Sequence, residues 1–398
     1  MAKLGLKDID VKGKRVLVRV DFNVPIEQGI ENLPKYDFRL RAVLPTLEYL
    51  LAQKTRLVLC SHLGRPKGKV VEGLRMAPVG QRLEALLKHR VTCIPEVVGP
   101  KVQAAANALK PGDILLLENL RFNAGEEAND QEFAKALAAL GDVFVSDAFS
   151  VAHRAHASTA GVPRYLPSAA GFLMQKEIEM LGGALASPAR PLAALLGGAK
   201  VSDKMKVLEN LLNKVDTLFI GGGMAVTFLR AQGYSTGRSP VEEAQIDFAR
   251  GILAEAKRCG IAVNLPQDVV VAPEFKADST PVSTVAVDKV PADAYVMDIG
   301  PRTAEAFAAG LQKCGTVIWN GPMGVFEFPA FAKGTQRVAQ ALAGSKAKTV
   351  VGGGSTAEAV EALGLSDRMA HVSTGGGASL EFLEGRELPG IAALPDRK

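Results

Sequence analysis

Residues 191–204 read PLAALLGGAKVSDK, an apolar run that ends in two glycines and is followed by two lysines. The run 191–196 predicts a buried strand, and the residues after Gly198 predict the start of a helix. Glycines at such a turn let a ligand approach the backbone, and a helix N-terminus presents unpaired N–H groups to an anion. Lys200 and Lys204, four residues apart, would share one helical face. The stretch indicates a polyphosphate site, although a tight strand–helix turn with two solvated lysines explains it equally well.

Length and composition define the class of protein. The chain has 398 residues, which favours two domains, and its 47% hydrophobic and 22% charged residues are typical of a globular protein. A formal net charge of +5 permits an anionic ligand, and no basic run interleaved with aromatic residues predicts nucleic-acid binding. The N-terminus lacks the apolar core of a signal peptide, and no apolar run reaches the ~20 residues of a membrane span. We expect a cytoplasmic protein that binds neither nucleic acid nor membrane.

The cysteines and histidines favour neither a disulfide framework nor a metal site. The four cysteines lie far apart without paired metal-binding spacing, at Cys60, Cys93, Cys259 and Cys314. Free thiols in a reducing compartment are therefore expected. His153 and His156 form an i, i+3 pair, but no HExxH motif or third ligand stands nearby, so structural or substrate-contacting roles are favoured over zinc binding.

Short apolar runs alternate with helix-period segments in both halves of the chain. The predicted strands are Arg15–Val20, Arg56–Cys60, 91–94, 114–117 and 143–145 in the first half, and Leu192–Leu196, Thr217–Ile220, 262–265, 317–319 and 349–351 in the second. Strands this apolar, separated by helices, predict parallel sheets covered on both faces. Right-handed crossovers then give two doubly wound, Rossmann-like α/β domains, which we expect to face each other across a cleft.

Arginines and a histidine cluster in the first half, near the predicted carboxyl ends of the strands, where ligands bind in such sheets. The residues expected to converge there are Asn23, Arg39, His62, Arg65, Arg121 and Arg154. Four arginines gathered without matching acids would repel one another, so a polyanion is the natural partner. For any single arginine an ordinary surface position is the favoured explanation, but for four together it is not.

Glycine-rich loops occupy the equivalent positions of the second half. They are Gly221-Gly222-Gly223, Asn320-Gly321-Pro322 and Gly352-Gly353-Gly354, and they predict close backbone approach to a nucleotide. Neither GxxxxGK[ST] nor GxGxxG occurs, which excludes an ordinary P-loop and argues against a nicotinamide-dependent dehydrogenase. Glu327 is a candidate acceptor for ribose hydroxyls, although a lone carboxylate is more often simply solvated.

Taken together and in this order, the motifs resemble those of the phosphoglycerate kinase family. The matching stretches are RVDFNVP (19–25), SHLGRP (61–66), ENLRF (118–122), DAF (147–149), GGAKVSDK (197–204), GGGMA (221–225), WNGPMGVFE (319–327) and STGGGAS (373–379). The resemblance implies a glycolytic and gluconeogenic kinase. The family transfers a phosphoryl group reversibly between ATP and the carboxylate of 3-phosphoglycerate, giving 1,3-bisphosphoglycerate and ADP, with Mg²⁺.

The resemblance also implies a role for each matching residue. Asp21, Asn23, Arg39, His62, Arg65, Arg121 and Arg154 would bind 3-phosphoglycerate in an N-terminal domain of residues 1–168, onto which the tail 384–398 would return. Gly198, Lys204, Gly222, Asn320, Pro322, Glu327, Gly353, Gly354, Ser355 and Thr356 would bind the nucleotide in a domain of residues 169–383. Arg39 and Lys200 would be catalytic. A monomer that closes by hinge bending, near residues 163–180 and 375–377, is expected.

The chain departs from the family pattern at three places. An aspartate that serves Mg²⁺ usually follows the third glycine of residues 352–354, and here Ser355 replaces it; a neutral hydroxyl is a weaker ligand for a hard cation. Magnesium would then be held mainly by nucleotide phosphates and water. Val296 stands where glycine is common, which would narrow the adenosine pocket, and residues 27–36 lack the usual turn. The missing aspartate also leaves open a regulatory protein that kept the fold and lost catalysis, against which the intact Lys200 and Arg39 argue.

Overall fold

The computed structural model describes residues 2–25, 33 and 37–397. The chain divides into two compact units, of which one runs to Glu179 and takes in the residues from Glu387 onward, and the other is Met180–Arg386. The predicted loop difference at residues 27–36 falls almost entirely outside the described residues. None of the helices in the described part of the chain combines the length and the apolarity that a membrane span requires.

The first unit is built on a six-stranded parallel sheet. Its strands are β1 (Arg15–Val20), β2 (Arg56–Cys60), β3 (Val91–Cys93), β4 (Ile114–Leu116), β5 (Val143–Asp147) and β6 (Ser168–Ala170), in the order β3-β4-β2-β1-β5-β6. Its helices are α1 (Phe38–Ala52), α2 (Ala77–Leu87), α3 (Pro100–Ala108), α4 (Ala124–Glu127), α5 (Gln131–Ala138) and the start of α6 (Phe172–Ala186). Val16 and Val18 pack into one hydrophobic core and Leu17 into the opposite one, because successive side chains of a strand point to opposite faces.

The second unit contains another six-stranded parallel sheet. Its strands are β7 (Leu192–Leu196), β8 (Thr217–Ile220), β9 (Ala262–Asn264), β13 (Thr316–Asn320), β14 (Lys348–Gly352) and β15 (His371–Val372), in the order β15-β14-β13-β7-β8-β9. Its helices are α7 (Met205–Leu212), α8 (Gly222–Ala231), α9 (Ile246–Arg258), α10 (Pro301–Leu311), α11 (Lys333–Ala343), α12 (Gly354–Ala362) and α13 (Gly377–Leu383). The two predicted parallel-sheet α/β domains are thereby confirmed.

A three-stranded antiparallel sheet in the second unit was not predicted. It consists of β10 (Asp268–Ala272), β11 (Ser283–Ala286) and β12 (Tyr295–Ile299), in the order β11-β10-β12. Only β10 is a mostly buried apolar run; β11 is largely exposed, so it lacks the continuous apolar signal by which the other strands were found. The sheet packs Val269 and Val271 against Leu229 of α8 in a small core of its own.

The last residues of the chain pair with the first ones. The amide of Leu4 donates to the carbonyl of Pro395 and the amide of Arg397 donates to the carbonyl of Ala2, each at 2.8 Å. The short helix α14 (Pro389–Ala392) adds a bond from the amide of Gly390 to the carbonyl of Ala152, also at 2.8 Å. These contacts explain why the C-terminal segment belongs to the first unit.

Candidate functional site

Asp21, which directly follows β1, gathers several of the predicted substrate-binding residues. Its carboxylate pairs with Arg39 of α1 and accepts a hydrogen bond from the hydroxyl of Ser150. Its other oxygen accepts the amide of Asn23 at 3.0 Å and lies 3.9 Å from Nδ1 of His62. Because both oxygens are engaged, Asp21 orients its neighbours and is not placed as a free base.

Side chains hold the loop after β2 through hydrogen bonds to its backbone. The amide of Gly64 donates to Oδ1 of Asn23 at 2.8 Å, and Nη1 of Arg121 donates to the carbonyl of Gly64 at 2.8 Å. Arg121 is buried and also pairs with Glu127, with Nε and Oε1 3.3 Å apart. Burial, only partly offset by Glu127, lowers the pKa of Arg121 to about 10. Asn23 and Arg121 thus fix the loop that carries His62.

The electrostatic surroundings of His62 show which predicted cations come together. Burial first, and then the charges of Arg19, Arg121, Arg39 and Arg154, lower the pKa of His62 well below 6.5. The expectation that the four predicted arginines lack matching acids is wrong for two of them. Arg39 pairs with Asp21 and Arg121 with Glu127, which relieves the repulsion that the sequence alone implies.

Arg65 and the candidate metal and disulfide residues show, within the described residues, none of the ion pairs, metal groups or disulfides that were considered for them. Arg65 is exposed and forms no ion pair with the described residues. In the described part of the chain no group of three His, Cys, Asp or Glu side chains is arranged to hold a metal ion. The four cysteines form no disulfide, and burial raises the pKa of the Cys60 thiol to about 12.

The second unit contains two adjoining cavities at the carboxyl ends of β7, β8, β13 and β14. The larger cavity, of ≈ 560 Å³, is lined by glycine loops on one side and by β12 and the aromatic residues Phe275 and Phe328 on the other. Val296, Asp298 and Glu327 also line it. A mostly apolar cavity of this size, with a few polar groups, is typical of a small-molecule site.

Phe275 is the main lining residue of the larger cavity that sequence reasoning missed. It is 52% exposed, yet its ring is held edge-on to Tyr295 and Phe328, with centroids 6.3 and 6.1 Å apart. The guanidinium of Arg238 lies over the Tyr295 ring at 5.0 Å. An isolated phenylalanine in a polar loop between two apolar runs was the available signal, but no motif marked it.

The smaller cavity, of ≈ 400 Å³, is lined by Lys204 and Asn320 among other residues. Lys204 is buried there, and desolvation lowers its pKa to about 8. Its ammonium donates to Oδ1 of Asn320, whereas Nδ2 of Asn320 is buried and has no acceptor among the described residues. A buried donor without an acceptor is costly unless a ligand meets it.

Three glycine-rich loops interlock beside both cavities. The amide of Gly198 donates to the carbonyl of Pro322 at 3.0 Å, and the amide of Gly222 donates to the carbonyl of Met323 at 2.9 Å. Gly222 has φ +66°, and a Cβ there would lie 2.6 Å from the nitrogen of Gly198. Only glycine permits this conformation and this approach of two backbones.

The predicted helix N-terminus after Gly198 is wrong in two respects. A 3₁₀ turn precedes α7, so Lys200 lies exposed in the loop while Lys204 is buried at the helix start, and the two do not share a helical face. The free amides are also occupied. Glu242 accepts the amides of Val201 and Ser202 at 2.5 and 3.0 Å, and the hydroxyl of Ser202 at 2.5 Å.

The N-terminus of α12 reaches the smaller cavity, as does Gly377 at the start of α13, whereas Gly222 at the start of α8 lines the larger one. Gly353, with φ +91°, precedes α12, and Gly354, Ser355 and Thr356 line the smaller cavity. Thr356 is buried and its hydroxyl accepts the amide of Gly321 at 2.7 Å, so it holds the loop after β13. Ser355 is exposed and lines both cavities.

The protein donors near this helix fit a magnesium ion that arrives with phosphates. Ser355 offers a neutral oxygen, and Asp203, which was not predicted as a site residue, adds one carboxylate to the lining of the smaller cavity. Mg²⁺ commonly keeps several waters and binds through one or two carboxylates plus substrate phosphates. The donor set therefore suits a shared ion and not an all-protein cage.

Comparison with known proteins identifies the family. The sequence profile of a family described as "Phosphoglycerate kinase" matches residues 6–386. The chain belongs to the phosphoglycerate kinase family. Curated relatives are the phosphoglycerate kinases of Moorella thermoacetica, 59% identical over 399 residues, and of Pelotomaculum thermopropionicum, 54% identical over 397 residues, each match covering 100% of both chains.

Solved phosphoglycerate kinase structures also resemble this fold. The enzyme from Coxiella burnetii has a TM-score of 0.89 at 43% identity, and the one from Pyrococcus horikoshii has a TM-score of 0.85 at 35% identity. Each match covers 98% of both chains.

Proposed function

We propose that this chain transfers a phosphoryl group reversibly between ATP and the carboxylate of 3-phosphoglycerate, forming 1,3-bisphosphoglycerate and ADP in glycolysis. Family membership over residues 6–386 supports the reaction. The observation that carries the proposal is the smaller cavity, where buried Lys204, the unpartnered Nδ2 of Asn320 and the N-terminus of α12 all present positive charge or donors. Such a set suits the phosphates of a nucleotide.

The nucleotide is proposed to occupy both cavities of the second unit. Its adenosine would lie in the larger one, against Phe275 and Val296, with Glu327 accepting hydrogen bonds from the ribose. Its phosphates would lie in the smaller one. Lys200 lines both cavities and is exposed in a loop, which supports the proposal that it follows the phosphoryl group during transfer. The close glycine backbones of Gly198 and Gly222 leave room for the ligand between these two parts.

The acceptor substrate is proposed to bind the arginine cluster of the first unit. Arg39, Arg121 and Arg154 surround His62, and guanidinium groups suit phosphate and carboxylate through paired donors. Asp21 and Asn23 would orient these groups and the substrate hydroxyl, and the exposed Arg65 would complete the site. Each of these assignments extends the family resemblance to the matching position of this chain.

The chemistry requires alignment and charge neutralisation but no protein nucleophile. A substrate carboxylate, with a reference pKa of roughly 3.5, is already ionised near neutral pH. Arg39 and Lys200 would stabilise the charge of the transferring phosphoryl group, which is the main task in such reactions. Magnesium, held by the nucleotide phosphates with Ser355 or Asp203 nearby, would add further neutralisation.

We propose that the two substrates meet through a closing motion, because in-line transfer needs the reacting atoms within about 3–3.5 Å of each other. The segments near residues 163–180 and 375–377 are the proposed hinges, and Gly376 has φ +52°. Small-angle scattering should show a smaller radius of gyration with both ligands than with neither. An unchanged radius would contradict closure.

We propose that the enzyme acts as a monomer in the cytoplasm, as the family resemblance implies. A coupled assay with ATP, Mg²⁺ and 3-phosphoglycerate tests the function. Turnover that requires all three supports it. Nucleotide binding without turnover would instead support the regulatory alternative, and absence of both would refute the proposal.

A further inference from the structure

A buried arginine of β1 contacts the ring of His62. Arg19 is 1% exposed, and each of its guanidinium nitrogens is engaged by the protein. Nε donates to Oγ of Ser158 at 2.8 Å, Nη1 donates to the carbonyl of Val20, and Nη2 lies 3.1 Å from Nδ1 of His62. Arg19 therefore acts on a ligand only through His62.

The contact between Arg19 and His62 decides which ring nitrogen carries the proton. A guanidinium donates and never accepts, so Nδ1 of His62 is the acceptor. Burial and the surrounding arginines lower the pKa of His62 well below 6.5, so the ring is neutral near pH 7. A neutral imidazole whose Nδ1 accepts carries its proton on Nε2. Nε2–H is then the donor that His62 offers to an anion.

Ser158 and Glu126 fix Arg19 from its other side. The hydroxyl of Ser158 accepts from Nε of Arg19 and donates to Oε1 of Glu126 at 2.5 Å, and its amide donates to Oε2 at 3.0 Å. Ser158 and Glu126 are both fully buried. Burial raises the pKa of Glu126, whereas the charge of Arg19 and the bonds from Ser158 oppose that rise. One hydroxyl thus joins a buried cation to a buried anion.

We propose that Arg19, Ser158 and Glu126 are positioning residues that hold His62 as the Nε2–H tautomer for the acceptor substrate. The inference rests on the proposed function, which places 3-phosphoglycerate beside His62. Without the Ser158 hydroxyl, Nε of Arg19 loses its acceptor, so the guanidinium is free to turn away from Nδ1 of His62. The charges of Arg19 and Glu126 both remain in that variant, which separates positioning from electrostatics.

The tautomer is measured first in the wild-type protein without substrate. Histidine-labelled ¹⁵N NMR near neutral pH should show Nδ1 of His62 unprotonated and Nε2 protonated, with no second tautomer. A protonated Nδ1, an imidazolium or a tautomer mixture would overturn the inference. This result does not depend on whether the protein turns over any substrate.

The second test compares Ser158→Ala with Ser168→Ala. Ser168 is also buried, and its hydroxyl donates to the carbonyl of Leu166 at 2.8 Å, so the control removes a similar bond away from His62. Ser158→Ala should give a mixture of His62 tautomers and raise KM for 3-phosphoglycerate roughly tenfold, with little change in kcat or in KM for ATP. Equal behaviour of the two variants would refute the proposal.

A third variant tests the same positioning role if Ser158→Ala does not fold. Arg19→Lys retains the charge but offers one nitrogen where arginine offers three, so it should also release the His62 tautomer. A single Nε2–H tautomer in folded Arg19→Lys would contradict the positioning role. A fixed tautomer in an inactive wild-type protein would refute the proposed function alone, whereas full activity with a mixed wild-type tautomer would refute this inference alone.

Discussion

The proposed anion sites of the two units differ in the groups that form them: charged side chains in the first unit and, to a large extent, backbone in the second. In the first unit the charged groups are side chains with partners already in place, such as Arg39 with Asp21 and Arg121 with Glu127. In the second unit much of the site is backbone. Its central side chains, Lys204 and Asn320, are buried and bonded to each other, and Nδ2 of Asn320 has no acceptor among the described residues. If the proposed assignment holds, 3-phosphoglycerate would be recognised by side chains whose directions are already fixed, whereas the nucleotide would supply the acceptor that the second site lacks.

The largest expected effect comes from removing the guanidinium of Arg39 in the first unit. Arg39→Ala should lower kcat by about 10²–10³-fold, since transition-state charge loses a fixed donor, while ATP affinity changes little. Steady-state kinetics and ATP titration measure the two. Arg41→Ala is the matched control, because Arg41 lies on the same helix and pairs instead with Asp37. Small and equal effects of Arg39→Ala on both quantities would remove its catalytic role.

Nδ2 of Asn320 in the second unit, which lacks an acceptor within the described residues, should contribute mainly to nucleotide binding. Asn320→Ala removes Nδ2 and also Oδ1, which accepts from Lys204, and should weaken ADP binding by roughly 10- to 100-fold, at least the cost of one hydrogen bond to a charged group. Calorimetry should show no change in 3-phosphoglycerate affinity. Asn213→Ala, which alters an exposed asparagine of the same unit bonded to the carbonyl of Glu209, is the control. Unchanged ADP affinity in Asn320→Ala would mean that Nδ2 does not face the ligand.

The buried lysine should make nucleotide binding depend on pH. Burial lowers the pKa of Lys204 to about 8, so the ammonium is charged below that pH and increasingly neutral above it. Phosphates bind the charged form, so ADP affinity should fall by roughly tenfold per pH unit above the pKa. Lys204→Arg should abolish this fall because arginine stays charged. A wild-type affinity that is flat from neutral to alkaline pH would contradict the role of Lys204.

The smallest expected effect concerns the metal. Ser355→Asp should lower the Mg²⁺ concentration needed for half-maximal rate about two- to fivefold, as for an exposed charge pair, without altering 3-phosphoglycerate affinity. Ser366→Asp adds the same charge in the same unit at a position that lines neither cavity. If the metal requirement of Ser355→Asp does not move relative to that control, Ser355 lies outside the metal site.

Much of the fold could be predicted because its central strands are apolar on both faces. The predicted bounds of Arg15–Val20, Arg56–Cys60, Leu192–Leu196 and Thr217–Ile220 agree with β1, β2, β7 and β8. In the antiparallel sheet the exposed β11 carries no continuous apolar run, whereas β10 carries one and was nevertheless not predicted. Family motifs named the candidate residues, but their functional roles remain predictions.

The partners of the site residues could not be predicted, because they come from distant parts of the chain. Glu242 is 41 positions from Val201, whose amide it accepts, and Ser158 is 139 positions from Arg19. Nothing in local periodicity or spacing marks such a pair. For that reason the expectation of free amides after Gly198 is wrong. The acids that pair with Arg39 and Arg121 lie nearer in the sequence, but spacing alone does not mark them as partners either.

The most direct test is an amide NMR titration with each ligand alone. The account predicts that 3-phosphoglycerate shifts the resonances of Asn23, His62 and Gly64 and leaves the glycine loops of the second unit unchanged. ADP should shift Gly222, Asn320 and Gly353 and leave the first cluster unchanged. If both ligands shift the same unit, or if 3-phosphoglycerate shifts only the second, the assignment of one substrate to each unit is wrong.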